Sequence, residues 1–551
     1  MNNASVGVPL NLAGRTYYYA GYAQDDVKVT PKLTLQLGLR YELQPPAVES
    51  EDRTSNFDLT VTDPLTGMKG AVVFAGEGQG RTGRRTFVDS DKTNFSPRIG
   101  GAYAIADRTS LRGGYGIFYG ANVFNGFSSV PFSRGFGGTN NISNPLAHTA
   151  AFNWDAGYPN MFVAAAIDPT AWRLGGVTHW DPDAGLVPRT HQWNVNVQRE
   201  VMTNLTVDVG YVGTRSSHIW AGDLANKNQL DPKYLSFGSN LSTILRTDAD
   251  AQRFGLSGLP YPAFAGGQLW QALVPFPHLA RNGIGLTTFN SPLGKSRYDS
   301  LQVAVNRRYS NGLTVYGNYN YSRTLQNMES ALRNDNSGRP LDYYNLDLEY
   351  GLGDFDQTHA LKIAGVYEIP VGRERRFGAG MPGVFDAIVG GWTVSFIGNY
   401  ASGTPLRFTG SAIPAWNGRA NRPDLINPDG RSLLAGFDPS KFNAAAIAQG
   451  NYADHRFIAP GLIVDHAPFT LGNAGFVVDV REPSFRNEDV SIQKTFRVRE
   501  QTRMQVRAEL LNAFNRHTFG GINTNVLDAR FGQVTSVSGN RVAQIGLRLE
   551  F

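Results

Sequence analysis

The sequence predicts an all-β chain whose strands belong to an antiparallel, membrane-spanning barrel. Three observations predict it. Apolar and polar residues alternate with period two over stretches of about ten residues, as a strand with one oily and one watery face requires. Tyr, Trp and Phe gather near the ends of those stretches, where an interfacial girdle would sit. Connections alternate between short turns and segments tens of residues long, a parity that a soluble sandwich has no reason to keep.

Composition agrees. The 551 residues include 62 Gly, 23 Tyr and 32 Phe, and only 18% are charged. Mean hydropathy is negative, and no apolar run approaches the roughly eighteen residues of a membrane helix. Barrels look like this because their two faces cancel in any sliding window. The chain has no cysteine, which excludes thiolate metal sites, cysteine nucleophiles and disulfides. Its net charge of +5 is modest and its basic residues are scattered, so no nucleic-acid partner is expected. The opening residues Met1–Leu10 carry no basic region followed by an apolar core, so no signal peptide is expected there.

The first hairpin is expected over roughly Thr16–Val29 and Leu33–Leu43, turning at Thr30–Lys32. In its second arm Leu33, Leu35, Leu37, Leu39 and Tyr41 alternate with Thr34, Gln36, Gly38, Arg40 and Glu42. A Gly/Asp/Thr-rich segment follows from Gln44 to Asn94. The second hairpin spans Phe95–Tyr119 with its turn at Asp107–Arg108. A Phe/Asn/Gly-rich stretch from Gly120 to Pro188 leads to the third, Arg189–Val212, turning near Met202–Thr203. The fourth, Arg297–Arg323, turns at Asn311–Gly312, a pair suited to the tight hairpin turn with both central residues at positive φ. The fifth pairs Leu361–Ile369 with Trp392–Tyr400 across a longer connection, Pro370–Val389. The sixth pairs Val490–Val498 with Met504–Leu510, turning at Arg499–Gln501. There Lys494 interrupts the apolar face, so it should lie near an interface or mark a register change, because mid-bilayer it would cost about 2–4 kcal/mol.

The last strand, Asn540–Phe551, points Ala543, Ile545, Leu547, Leu549 and Phe551 one way and Val542, Gln544, Gly546, Arg548 and Glu550 the other. It resembles the C-terminal signal strand of bacterial outer-membrane barrels. That resemblance implies recognition by the barrel-assembly machinery through Gly546, Leu549 and Phe551, although Ile545 stands where a polar residue is usual. About thirteen strands result. With the last running toward the periplasm, alternating connections make the first run the same way. The expectation is a C-terminal part of a larger barrel, lacking an odd number of strands, with residues 1–551 as one barrel domain and no plug.

Several segments together resemble large TonB-dependent receptors of the Oar type. They are Tyr22–Glu42 (YAQDDVKVTPKLTLQLGLRYE), Asn94–Gly100 (NFSPRIG), Gly353–Ala360 (GDFDQTHA), Tyr367–Pro370 (YEIP) and Glu509–Asn515 (ELLNAFN), in the family's order. The resemblance implies a barrel of about 22 strands around a plug and an integral location in the outer membrane. It also implies energy from the TonB–ExbB–ExbD complex through an N-terminal region not in this chain, and uptake or export of a large, unidentified ligand. A structural, adhesive or passive-pore role without TonB is the alternative.

Other patterns point to little chemistry. Gly78–Gly83 spells GxGxxG, but no helical pattern follows it, against a dinucleotide site. Ser491 and Lys494 have the SxxK spacing, but in a strand they point to opposite faces. No histidine pair has a metal-site spacing. No nucleophile–base constellation appears, so the chain is not expected to be an enzyme or to carry a cofactor. Asp347, Glu349, Asp354 and Asp356 form the densest acidic cluster, either a weak Ca²⁺ candidate or a solvated loop entering a strand. Phe124, Phe127, Phe132 and Phe136 stand in a Gly/Asn/Ser-rich loop, either to contact a ligand or to pack loops on one another. Inward residues such as Arg40, Asn194, Asn196, Asn318, Arg503 and Arg507 are expected to line the lumen.

Overall fold

The structure is a computed structural model. It describes residues 3–8, 10, 12–120, 130–136, 138–143, 152–157, 167–221, 224–328, 340–373, 375–417, 421–426, 432–443, 445, 449, 455–497 and 502–551.

Thirteen long strands follow one another in a single antiparallel sheet, each paired with its neighbours in the chain. They are β1 (Tyr19–Thr30), β2 (Leu33–Leu43), β3 (Phe95–Ala106), β4 (Thr109–Tyr119), β5 (Arg189–Met202), β6 (Leu205–Ile219) and β7 (Gly294–Ser310). The series continues through β8 (Leu313–Gln326), β9 (His359–Glu368), β10 (Trp392–Ala401), β11 (Phe485–Arg497), β12 (Arg503–Leu511) and β13 (Val542–Glu550). Among the described residues β1 pairs only with β2 and β13 only with β12, so the sheet is open. Strands reach 17 residues in β7, longer than the expected ten. The extra length extends the hairpins toward the long connections.

Turn chemistry sets the registers. Asn311 (φ 53°) and Gly312 (φ 79°) both take positive φ between β7 and β8, as the sequence pair predicts. Between β5 and β6 the turn is at Thr203 and Asn204, one residue later than expected, because Asn204 supplies the positive φ of 67°. The turn between β11 and β12 lies mostly outside the described residues. The connection from β9 to β10 departs most: it contains a short helix, α1 (Gly383–Val389).

Burial is inverted relative to a protein folded in water. Among the described residues no buried apolar side chain belongs to β1–β13. Apolar strand residues are instead exposed: Leu39, Ile99, Val195, Val209, Leu301 and Ile545 all face out of the protein. Only a lipid solvent makes that arrangement stable, since it offers the backbone no hydrogen bonds and the sheet pairs its own.

Buried apolar clusters do occur, and they lie in the long connections. One joins Phe57, Val72 and Phe74 to Trp172, Val177, Phe276 and Leu279, drawing on three different connections. A second joins Leu230, Leu241 and Val274 to Ile413. A third packs Phe408, Ile458 and Val480 against Ile522 and Val534. Small hairpins such as Ser55–Thr62 with Lys69–Phe74 frame them. The segments that read as Gly- and Asp-rich loops therefore fold together as a layer with its own cores.

Candidate functional site

Two surfaces can meet a ligand: the polar face of the wall and the layer of long connections. Pairing registers carry the polar face across every strand. One row runs Gln36, Gly100, Gly114, Asn194 and Val212, and Asn194 pairs with Gly114. Farther along, Asn318 stands between Ala304 and Lys362, Lys362 pairs with Asn399, and Asn399 with Asn487. Arg507 lies between Gln493 and Gly546, and Arg503 between Arg497 and Glu550. The six residues expected to line the lumen thus share the polar face.

Side chains on this face tie to one another. Asn194 donates to Asn196 (3.0 Å), which donates to Asp208 (3.3 Å). Arg40 Nε meets Glu42 at 2.6 Å and its Nη2 donates to Tyr18 at 2.7 Å. A recess of about 680 Å³ opens over β1–β5, lined by Gln24, Asp26, Gln36, Arg98, Arg112 and Asn194. Glycines make the room: a Cβ on Gly100 would come within 3.2 Å of Gln36 Oε1, and one on Gly114 within 3.3 Å of Asn194 Oδ1. Arg98 spreads over the Phe118 ring at 4.8 Å, leaving a cationic, hydrogen-bonding floor.

The opposite face carries an aromatic row on the long-connection side. Tyr115 Oη bonds His191 Nδ1 at 2.7 Å, Tyr319 Oη bonds His359 Nδ1 at 2.8 Å, and Tyr211 Oη donates to Asp299 at 2.5 Å. Aromatic bodies with polar tips suit a lipid–water boundary.

In the loop layer a second recess of about 420 Å³ is lined by Asn226, Asn228, Trp270, Leu286, Thr288 and Asn417. Asn417 fastens it: Nδ2 donates to Asn228 O (2.6 Å) and Oδ1 accepts from Leu230 N (2.7 Å). Sequence reasoning missed this recess, because its asparagines Asn228 and Asn417 come from connections 189 residues apart in sequence.

The four acidic residues, offered as a weak Ca²⁺ candidate or a solvated loop, are engaged with separate partners, and Glu349 and Asp356 are buried rather than solvated. Glu349 is spent on Arg422, Asp356 on Arg481 (2.6 Å) and Thr324 N (2.6 Å), and Asp354 accepts from Gln326 (3.1 Å). Asp347 sits in a short 3-10 turn whose carbonyl accepts from Tyr350 N. No carboxylate and histidine groups among the described residues are arranged to hold a metal ion. Of the loop aromatics, Phe132 is buried edge-on against Trp180 and Phe289, and Phe136 against Phe74. Both pack loop on loop; Phe124 and Phe127 lie outside the described residues. Ser491 pairs with Glu509 on the polar face while Lys494 pairs with Val506 on the other, so the SxxK pair cannot meet.

At the end of β13, Leu549 and Phe551 are exposed on the apolar face, and a Cβ at Gly546 would touch nothing. Lys494 causes no register shift, contrary to one expectation. Its Nζ instead donates to Asp386 O in α1 at 2.9 Å.

Two histidines in the loop layer give it a pH response. His278 is fully buried 4.9 Å from the Trp172 ring, and burial pushes its imidazole below the usual range. Burial likewise lowers His179, whose Nδ1 lies 2.9 Å from Phe57 O, and nearby Lys227 adds to the effect. A lowered imidazole is neutral when folded, so its stability is whole above about pH 6.5 and drains as pH falls and the unfolded chain takes up the proton. The expected loss approaches ~1.4 kcal/mol per pH unit per histidine. The urea midpoint of the loop layer should fall between about pH 7 and about pH 5, and His278→Phe should flatten that fall.

These features define an integral protein of the outer membrane, with a β-barrel wall apolar outside and polar inside. Residues 1–544 match the outer membrane beta barrel domain, and the chain belongs to that family. No curated protein matches it. Among solved structures it is similar to the P. aeruginosa receptor FpvA bound to a heterologous pyoverdine (9% identity, TM-score 0.38, 98% of this chain and 39% of that one). It is also similar to the Escherichia coli outer membrane transporter YddB (10%, 0.40, 97% and 54%) and the ferric citrate transporter FecA (11%, 0.37, 98% and 46%). The chain spans from 39% to 54% of the length of these three.

Proposed function

We propose that this chain is the wall and loop layer of a TonB-dependent outer-membrane transporter of the Oar type, moving a large ligand under energy coupling. The observation that carries the reading is the polar face, continuous from β1 to β13 through side chains such as Gln36, Asn194, Asn318, Asn399 and Arg507. Such a face suits a hydrated lumen filled by a polar plug, whose displacement would need an external energy source. The Tyr22–Glu42, Gly353–Ala360 and Glu509–Asn515 motifs support the family assignment. Recognition would fall to the loop layer, whose recess beside Asn228 and Asn417 offers amide donors and acceptors and the Trp270 ring. No catalytic step belongs to this reading.

Cells with and without the gene, fed labelled metal chelates, glycans and peptides, test it. Uptake of one class should depend on the gene and stop when a protonophore collapses the inner-membrane gradient. Gene-dependent uptake that survives the protonophore would instead establish a passive pore.

A further inference from the structure

The connection from β9 to β10 lies on the side where every described neighbour is a two-residue turn. That is the periplasmic side in outer-membrane barrels. A two-residue turn would join these strands as well, yet residues 369–391 intervene and build α1. The helix shows its apolar side to solvent: Val384 is 74% exposed, Phe385 61% and Ile388 65%. Residues 384, 385 and 388 fall on one face of a helix, the spacing of an apolar stripe.

The position of the helix is fixed by its backbone carbonyls and by Asp386. Lys494 Nζ donates to the Asp386 carbonyl at 2.9 Å, and Trp392 Nε1 donates to the Ile388 carbonyl at 2.8 Å. Asp386 Oδ1 accepts from Arg373 N at 2.7 Å. Lys494 and Trp392 are register partners on the apolar face, in line with Val394, Ile492 and Phe496. So α1 is held against the lipid-facing surface at its lower edge, and its exposed stripe continues that surface. Exposed Arg373, Arg375 and Arg376 accompany it. Of these, Arg375 pairs with Glu368 at 2.8 Å, and the sequence adds Glu374.

We propose that α1 is a membrane-interface anchor. It lies in the plane of the periplasmic phospholipid leaflet, with Val384, Phe385 and Ile388 among the acyl chains near the headgroups and the arginines at the phosphates. A short helix with an apolar face and flanking cations is suited to that boundary. The arrangement also accounts for Lys494: a cation on the lipid face is tolerated because a helix carbonyl covers it where the bilayer meets water.

Because the chain has no cysteine, a single introduced thiol reports one position. The full chain carrying Ile388→Cys or, separately, Val384→Cys is labelled with an environment-sensitive dye and reconstituted in phosphatidylethanolamine–phosphatidylglycerol vesicles. Both labels should emit in the blue. Lipids with a spin label near the headgroup should quench them more than lipids labelled at mid-chain, and a Ser236→Cys label in the loop layer should not be quenched by either. Emission matching the Ser236→Cys label, with no lipid quenching, would overturn the proposal. Labels shielded from aqueous iodide yet untouched by spin-labelled lipid would overturn it too, and would mark α1 as a protein-docking surface.

Discussion

Replacing Glu349 by Gln is expected to loosen the loop layer by about 3–5 kcal/mol, the cost of stripping the partner from a buried charge. Glu349 and Arg422 have 0% and 4% of their side chains exposed and meet at 2.7 Å through both carboxylate oxygens. Burial pulls the Arg422 guanidinium below its usual range and Glu349 holds it charged. Arg407 and Arg422 both face the Phe476 ring, at 4.0 and 5.4 Å, so further positive charge is packed nearby. A neutral amide would leave that charge without its carboxylate. The backbone around the pair cannot readily adjust, because Gly472 approaches the Arg422 carbonyl so closely that a Cβ there would collide with it. Hydrogen exchange should rise over residues 346–349 and 421–426 while the strands stay protected. Replacing both partners by apolar residues (Glu349→Leu with Arg422→Met) should recover most of the loss. Unchanged exchange in the single variant would mean that the pair is not buried as described.

A positive charge on the outer face should be comparably costly. Val209 sits opposite Val197 and Val303, between the short turn at Thr203–Asn204 and the Tyr211–Asp299 hydrogen bond. Val209→Arg is expected to cost about 2–4 kcal/mol in a bilayer, as arginine at the midplane does. Gln302→Arg, on the polar face between Gly210 and Asn320, should cost little. Urea midpoints in lipid vesicles compare the two. Equal tolerance would reverse the assignment of faces.

The wall was legible because its code is local. The alternation from Leu33 to Tyr41, the Asn311–Gly312 turn and the short–long parity each rest on neighbours in the chain, and each appears in the structure as read. The loop layer was not legible because its contacts are distant. Phe57 meets Phe276, and Glu349 finds Arg422 rather than its acidic neighbours Asp347, Asp354 and Asp356. Sequence proximity offered those four a shared cation or a solvated loop; spatial pairing gave Glu349 and Asp356 an arginine each. Lys494 shows both sides. Its misfit with the apolar alternation was visible, but its partner lies 108 residues back in a helix too short to announce itself.

The distance spanned by the loop contacts bears on biogenesis. Phe57 and Phe276 belong to different connections, as do Leu230 and Ile413. Neither pairing can close until the intervening strands have aligned, since the entropy of so large a loop is recovered only by contacts made together. The wall therefore times its own superstructure: contacts between different connections close only after the strands that separate them have aligned.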